Sequence, residues 1–275
     1  MLHHRLALKA ILFVLMFTTI AFPQKREVIL NFYKHEQQTW RHYIKRLQNT
    51  NTLTNFDVTF YHLAVEINIL SPYIRGNVLC RFKSTEDSLQ TIKLNLHHSL
   101  TIDSIAGNIT NYNVANDTIY ITLDQKLQTG DSEEVMIFYQ GIPEPAGGFK
   151  GLRYKTHAKN EPVIATLSTP FLAHYWWPCK DGPGDKADSA YIDITIPDTT
   201  VNGIPLIAVS NGVLENVIID KGKRTFQWRE RYPIVTYYVM AAISNYLHFQ
   251  QTYEGKLGES FPINYYVFDE HMSDA

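Results

Sequence analysis

Cysteine is almost missing from this sequence: Cys80 and Cys179 are the only two in 275 residues. Two cysteines make no disulfide framework, and no CxxC pair occurs. An excess of one charge sign is missing too. The formal net charge is −2 and no Lys/Arg-rich run occurs, so nucleic-acid binding has no support. Beyond the N-terminus, no apolar run is long enough to cross a bilayer. There is no GxSxG, P-loop or GxGxxG motif and no long internal repeat.

What is present is globular. Hydrophobic residues make up 45 % and charged residues 19 %, ample for a core and unlike a disordered chain. The 17 Tyr and 14 Phe suit strands. The start reads as an export signal: His3, His4, Arg5 and Lys9 lead into an apolar stretch from Ala10 to Phe22, and Thr19-Ile20-Ala21 offers cleavage after Ala21. That stretch is short for a membrane span, so a cleaved signal is favoured over a retained anchor, and a periplasmic or extracellular location is expected. An exported chain could join Cys80 to Cys179, but Cys80 lies in an alternating strand pattern, which favours two free, buried thiols.

The period of the apolar residues then sorts the chain. Between Val28 and Leu47, Leu30, Tyr33, Gln37, Trp40, Tyr43, Ile44 and Leu47 recur at three- and four-residue steps, predicting a helix. From Asp57 the period becomes two. Tyr61, Leu63, Val65, Ile67 and Ile69 share a face, and Val78-Cys80-Phe82, Ile92-Leu94-Leu96 and Ile119-Ile121-Leu123 repeat the pattern. Val135–Tyr139 is apolar on both faces, and Gly141–Gly151 reads as a Gly/Pro-rich loop. Further strands are expected at Tyr191–Ile196, Ile207–Ser210, Thr225–Arg229 (Phe226 and Trp228 inward), Ile234–Ile243 and Ile263–Phe268. Short alternating strands between turn residues predict an all-β, antiparallel sheet or sandwich domain with a short helix ahead of it.

Candidate chemistry is sparse. His35-Glu36-Gln37-Gln38-Thr39 lacks the second histidine of HExxH, and His42 lies two helical turns from His35, too far for one zinc. The eleven histidines are scattered; His97 and His98 are adjacent, but strand neighbours point to opposite faces. Asp181, Asp185 and Asp188 surround Gly182 and Gly184, where solvated loop charges are favoured over a calcium site. Asn108-Ile109-Thr110 and Asn116-Asp117-Thr118 match the glycosylation sequon, which matters only in a eukaryotic secretory route. No catalytic set and no metal set are expected in this chain.

Several segments, in order, carry a resemblance. Thr166-Leu167-Ser168-Thr169-Pro170 leads to Trp176-Trp177-Pro178-Cys179-Lys180-Asp181-Gly182-Pro183, followed by Lys186-Ala187-Asp188 and Tyr191–Pro197. Then come Ala208-Val209-Ser210-Asn211-Gly212, Phe226–Glu230, Tyr232-Pro233-Ile234, Tyr237-Tyr238-Val239 and Ala242–Tyr246. Tyr61-His62-Leu63 and Ile74–Val78 precede them. From about Asp57 to Phe268 this resembles the aminopeptidase N family of zinc peptidases, with its "WPC-x-D-x-P" segment.

The resemblance implies a saddle-like N-terminal β domain that packs on a thermolysin-like catalytic domain. The family's GAMEN segment, HExxH helix and downstream Glu are not in the sequence. The implied organisation is a signal peptide at 1–21, a helical segment and linker at 22–55, the β domain at 56–269, and the start of a linker to an absent catalytic domain at 270–275. The implied function is the non-catalytic domain of a secreted aminopeptidase that acts on peptides. Zinc would belong only to the missing domain, and this portion would be inactive alone. No nucleic-acid partner and no stable membrane span are expected. The family commonly places an acidic residue before this segment, where it helps bind the substrate's free amino terminus. Counting back from Pro178, that position falls on Thr169, a short neutral side chain. The competing expectation is a stand-alone secreted β-sandwich module that binds a peptide or glycan through an exposed aromatic loop, Phe171–Trp177.

Overall fold

A computed structural model describes residues 55–144 and 151–274. The export segment, the helix at Val28–Leu47, His35, His42 and residues 145–150 of the Gly/Pro-rich loop lie outside the described residues.

The described chain is built from strands. In chain order they are β1 (Phe56–Ile67), β2 (Ile74–Ser84), β3 (Leu89–Asn95), β4 (Leu100–Gly107), β5 (Ile109–Ala115), β6 (Thr118–Leu127), β7 (Ser132–Gly141), β8 (Leu152–Thr156) and β9 (Pro162–Thr166). There follow β10 (Ser189–Pro197), β11 (Thr200–Val201), β12 (Ile204–Pro205), β13 (Ile207–Val209), β14 (Val213–Asp220), β15 (Lys223–Glu230), β16 (Ala242–Ser244), β17 (Leu247–Glu254) and β18 (Ser260–Val267). A seven-stranded sheet runs β14-β15-β10-β1-β2-β7-β4. A four-stranded sheet runs β13-β16-β9-β8, a three-stranded sheet runs β3-β6-β5, and β11-β12 and β17-β18 form two ribbons.

The period-two reading accounts for the core. Tyr61, Leu63, Val65 and Ile67 of β1 are buried, as are Val78, Cys80 and Phe82 of β2 and Ile192, Ile194 and Ile196 of β10. They join Ile92 and Leu94 of β3 and Ile119, Ile121 and Leu123 of β6 in one contiguous apolar cluster, so the large and the three-stranded sheets share a core. The other face of the large sheet is polar and carries cross-strand ion pairs. Arg75 meets Glu66 at 2.9 Å, Lys223 meets Glu66 at 2.7 Å, and Arg229 meets Asp193 at 2.6 Å. This is the inward-apolar, outward-polar division of an all-β sandwich.

Two features depart from the sequence-based expectation. The ladders are antiparallel except one: β1 and β10 pair in parallel, from Phe60 opposite Ser189 to Glu66 opposite Thr195. More than a hundred residues intervene, so no local turn chemistry could signal it. The strand expected at Ile234–Ile243 is also not continuous. Ile234 makes one isolated bridge to Ala187, Thr236–Tyr238 is a single 3-10 turn, and only Ala242–Ser244 pairs as β16. Tyr238 N–H donates to Val235 O at 3.0 Å and Val239 N–H to Thr236 O at 3.2 Å, so local bonds replace a ladder despite the β-branched composition.

Candidate functional site

The segment between β9 and β10 enters from a paired strand and is pinned at once. Ala241 N–H donates to Thr166 Oγ1 at 2.9 Å, and Leu167 N–H donates to Gly151 O at 2.9 Å. Gly151 has φ +54, and a Cβ there would lie 2.9 Å from Tyr175 Cβ, so this approach requires glycine. Leu167 to Pro170 then form the accessible tip: Leu167 is exposed, and Ser168, Thr169 and Pro170 are partly so. Leu172 N–H donates to Thr169 O at 3.0 Å and closes the turn that presents Thr169.

Beyond the tip the chain dives into the protein. Trp176 and Trp177 are fully buried, and Phe171 and Tyr175 nearly so. Trp177 packs edge-on against Tyr61, with centroids 5.0 Å apart. The exposed aromatic platform expected of a stand-alone binding module is therefore corrected: these rings are core, because they fill the space beside β1. Cys179 bridges to Asn95 at the end of β3, with N–H···O distances of 3.1 and 2.7 Å. Cys80 and Cys179 are both free and buried, as the strand pattern implied.

The acidic loop residues are also corrected. Asp181 and Asp185 are not solvated charges. The Asp181 and His174 side chains are each 1 % exposed, and His174 Nδ1 lies 2.5 Å from Asp181 Oδ2, which also accepts the His174 backbone N–H at 3.2 Å. Lys180 Nζ donates to Asp185 Oδ2 at 2.5 Å and to Phe56 O, and it stands 4.3 Å from the Phe56 ring centroid. Asp185 Oδ2 also accepts Val58 N–H at 3.2 Å, where a bulge in β1 shifts the ladder between Val58 and Phe60. The bulge frees backbone groups that receive the returning loop, and Asp188 N–H takes Thr59 O at 3.0 Å. Asp188 alone of the three is exposed.

Two further polar clusters lie outside this segment. His97 and His98 do not sit on opposite faces. The chain has left β3 at Asn95 and turns, with Leu100 N–H donating to His97 O at 2.9 Å, so both rings emerge on one side with centroids 4.1 Å apart. His97 is buried and stacked on Tyr175 at 4.2 Å, while His98 is exposed and its Nδ1 lies 3.0 Å from Asp117 Oδ1. Burial lowers the His97 pKa despite the nearby Asp117 and Glu144 carboxylates. Burial alone would raise Asp117, but hydrogen bonds from the His98 side chain and backbone outweigh it and leave its pKa lowered.

The second cluster centres on His157, before β9. Its Nδ1 lies 2.8 Å from Glu270 Oε1 and its Nε2 3.3 Å from Glu161 Oε2, while its ring stacks on Phe268 at 4.1 Å. Burial pulls the His157 pKa down, but hydrogen bonds to Glu270 and Asn245 and the two carboxylates' charges leave it raised. Glu161 accepts hydrogen bonds from Asn245 and Asn202, which hold its carboxyl below the usual range. Neither cluster was found from the sequence, because each joins residues from separate turns.

The donor set of a catalytic HExxH zinc centre is not in this sequence, so no hydrolytic step is assigned to these residues. No helix among the described residues is long and apolar enough to cross a membrane.

A family model described as the Peptidase M1 N-terminal domain matches residues 58–238. Among solved structures, the fold is similar to the M1 zinc metallopeptidase of Deinococcus radiodurans. A mutant form bound to a Tyr-Ser-Ala substrate superposes with a TM-score of 0.65 at 19 % identity, covering 77 % of this chain and 47 % of that one. The form without the mutation gives 0.63 at 21 % identity, covering 76 % and 47 %. The chain thus spans about half the length of these relatives. No curated protein sequence matches it.

Proposed function

The chain belongs to the peptidase M1 N-terminal domain family, and from that premise we propose that it is the non-catalytic β domain of an exported zinc aminopeptidase. In this reading it works with a zinc-binding catalytic domain that these residues do not contain, and the joint reaction removes N-terminal amino acids from peptides. Export rests on the apolar stretch Ala10–Phe22 and the small residues before the site after Ala21. The role of the β domain is to hold the tip Leu167–Pro170 at the edge of the substrate site.

The observation that carries this reading is the contrast within one loop. Residues 171–181 are buried except Leu172, while Thr169 just before them stays partly exposed on a closed turn. A rigid base under an accessible tip suits a substrate-positioning element. Thr169 supplies a hydroxyl and no negative charge, so its grip on a substrate ammonium is weaker than a carboxylate's.

The test joins residues 56–269 to the catalytic domain of an M1 relative and compares Thr169 with Thr169→Glu. A charge-assisted hydrogen bond is worth about 1.5–3 kcal/mol, so kcat/KM for peptides with a free amino terminus should rise roughly tenfold to a hundredfold. N-acetylated peptides, which carry no ammonium, should be unaffected. Equal kcat/KM for both variants on free peptides would remove Thr169 from the substrate site. Turnover of an aminoacyl-anilide by the chain alone, persisting after contaminating peptidases are removed, would overturn the non-catalytic assignment.

A further inference from the structure

We propose that His97, His98 and Asp117 bind one divalent transition-metal ion, zinc in type, at the junction of the β3 end, the β5–β6 turn and the buried loop. One ligand atom from each of the three residues lies within 4.8 Å of the others. In a tetrahedral zinc site, with bonds of about 2.0–2.2 Å, donor atoms stand about 3.3–3.6 Å apart. His98 Nδ1 and Asp117 Oδ1, at 3.0 Å, are already close to that spacing. The remaining adjustment is about an ångström, and the His98 ring, exposed but paired through Nδ1 with Asp117, supplies it by a small turn.

The frame around these atoms is fixed. Leu96 N–H donates to Asp117 O at 3.0 Å, and His98 N–H donates to Asp117 Oδ1 at 2.8 Å, tying the β5–β6 turn to the end of β3. His97 N–H donates to His174 O at 2.9 Å, which ties the same end to the buried loop. The His97 ring is oriented from two sides. It stacks on Tyr175, and its Nδ1 lies 2.9 Å from Ser99 Oγ. The Ser99 backbone N–H also donates to Nδ1, at 3.3 Å, so Nδ1 is an acceptor here, and binding an ion through the second nitrogen requires Ser99 Oγ to take an Nδ1 proton in its place. Here that second nitrogen is Nε2, and Glu144 Oε2 lies 3.4 Å beyond it.

The donor chemistry fits an intermediate ion. Two imidazoles and one carboxylate suit zinc and its neighbours and do not suit calcium or magnesium, which take oxygen. Three protein ligands leave a fourth tetrahedral position for water or for the Glu144 carboxylate. A simple surface ion pair accounts for His98 with Asp117, but not for a second, buried imidazole tilted 35° to the first with its centroid 4.1 Å away. This inference does not depend on the aminopeptidase reading and runs against the expectation of no metal set in the chain.

The test uses the purified chain, freed of metal by a chelator and dialysed. Zn²⁺ is titrated calorimetrically and Co²⁺ by its visible absorption. One equivalent should bind, with the intense bands of a tetrahedral cobalt site, and His98→Ala and Asp117→Asn should each weaken binding at least tenfold. His248→Ala, on the β17–β18 ribbon, should bind as the parent does. Circular dichroism checks folding, and if Asp117→Asn unfolds, His98→Ala, whose ring is exposed, carries the decision. Two results would overturn the proposal: no binding at about 100 µM metal, or binding unchanged in His98→Ala. The latter would place the ion elsewhere, for example at His157, Asp269 and Glu270, whose donor atoms also converge.

Discussion

Replacing Asp181 by alanine should strongly destabilise the domain, and the size of the loss follows from two hydrogen bonds. The backbone N–H and Nδ1–H of His174 both converge on Asp181 Oδ2, at 3.2 and 2.5 Å, with both side chains 1 % exposed. The alanine variant leaves both donors buried without their acceptor. An orphaned buried polar group costs about 1–3 kcal/mol, so two cost about 2–6. Removing one partner of a buried pair costs about 3–5 kcal/mol, which agrees. For a domain of this size each kcal/mol lowers Tm by about 2–4 °C, so a fall of roughly 6–20 °C is expected. Asp181→Asn retains an oxygen acceptor of nearly the same shape and should lose less. Urea unfolding of the three proteins, followed by tryptophan fluorescence, measures the difference. If Asp181→Ala stays within about 1 kcal/mol of the parent, Asp181 is the solvated loop charge that its sequence context suggested, and the anchoring of the loop rests on something else.

Trp177→Ala should cost about 3–5 kcal/mol in the same assay, because a fully buried indole is lost beside Tyr61; a loss under about 1 kcal/mol would refute its place in the core. Cys80, whose pKa burial pushes up to about 12, and Cys179, raised well above the ordinary thiol value, should resist an aromatic disulfide reagent at neutral pH and react fully in denaturant; immediate labelling of the native protein would contradict their burial. The raised pKa of His157 has a definite sign: its contribution to stability is fully present below about pH 6.5 and is lost as pH rises through the higher folded value. The stability gap between the parent and His157→Gln, read from urea midpoints, should therefore shrink from about pH 6 to about pH 9, and a constant gap would remove the ion pairs from the account.

Much of the β architecture was legible because a half-buried strand must alternate. Tyr61, Leu63, Val65 and Ile67 announced β1 without any tertiary knowledge, as Phe226 and Trp228 announced an inward face in β15. The parallel partner of β1 was not legible, since pairing across such a separation is decided by the whole core. The strand expectation failed at Ile234–Ile243. Apolar residues there are buried by a turn and a bridge, and periodicity reports burial before it reports backbone conformation. The loop was misread in the opposite sense. Asp181 and Asp185 look solvated beside Gly182 and Gly184, and nothing local reveals that His174, Lys180 and the bulge in β1 await them.

The histidine pair shows why the candidate sites escaped altogether. The opposite-face rule for neighbours holds only while the chain remains a strand. His97 and His98 lie two and three residues past the end of β3, where a hydrogen bond from Leu100 N–H to His97 O bends the backbone and brings both rings to one side. Asp117 reaches them from the β5–β6 turn because Asn116 and Asp117 both hold positive φ, +52° and +59°. Asn and Asp tolerate that region better than most residues, so Asn116-Asp117 is a readable hairpin signal. The signal says that a turn is there. It does not say which end of the neighbouring sheet the turn will face. A site assembled from a strand end, a hairpin turn and a buried loop acquires its chemistry from sheet order, and sheet order is the part of this fold that local sequence encodes least.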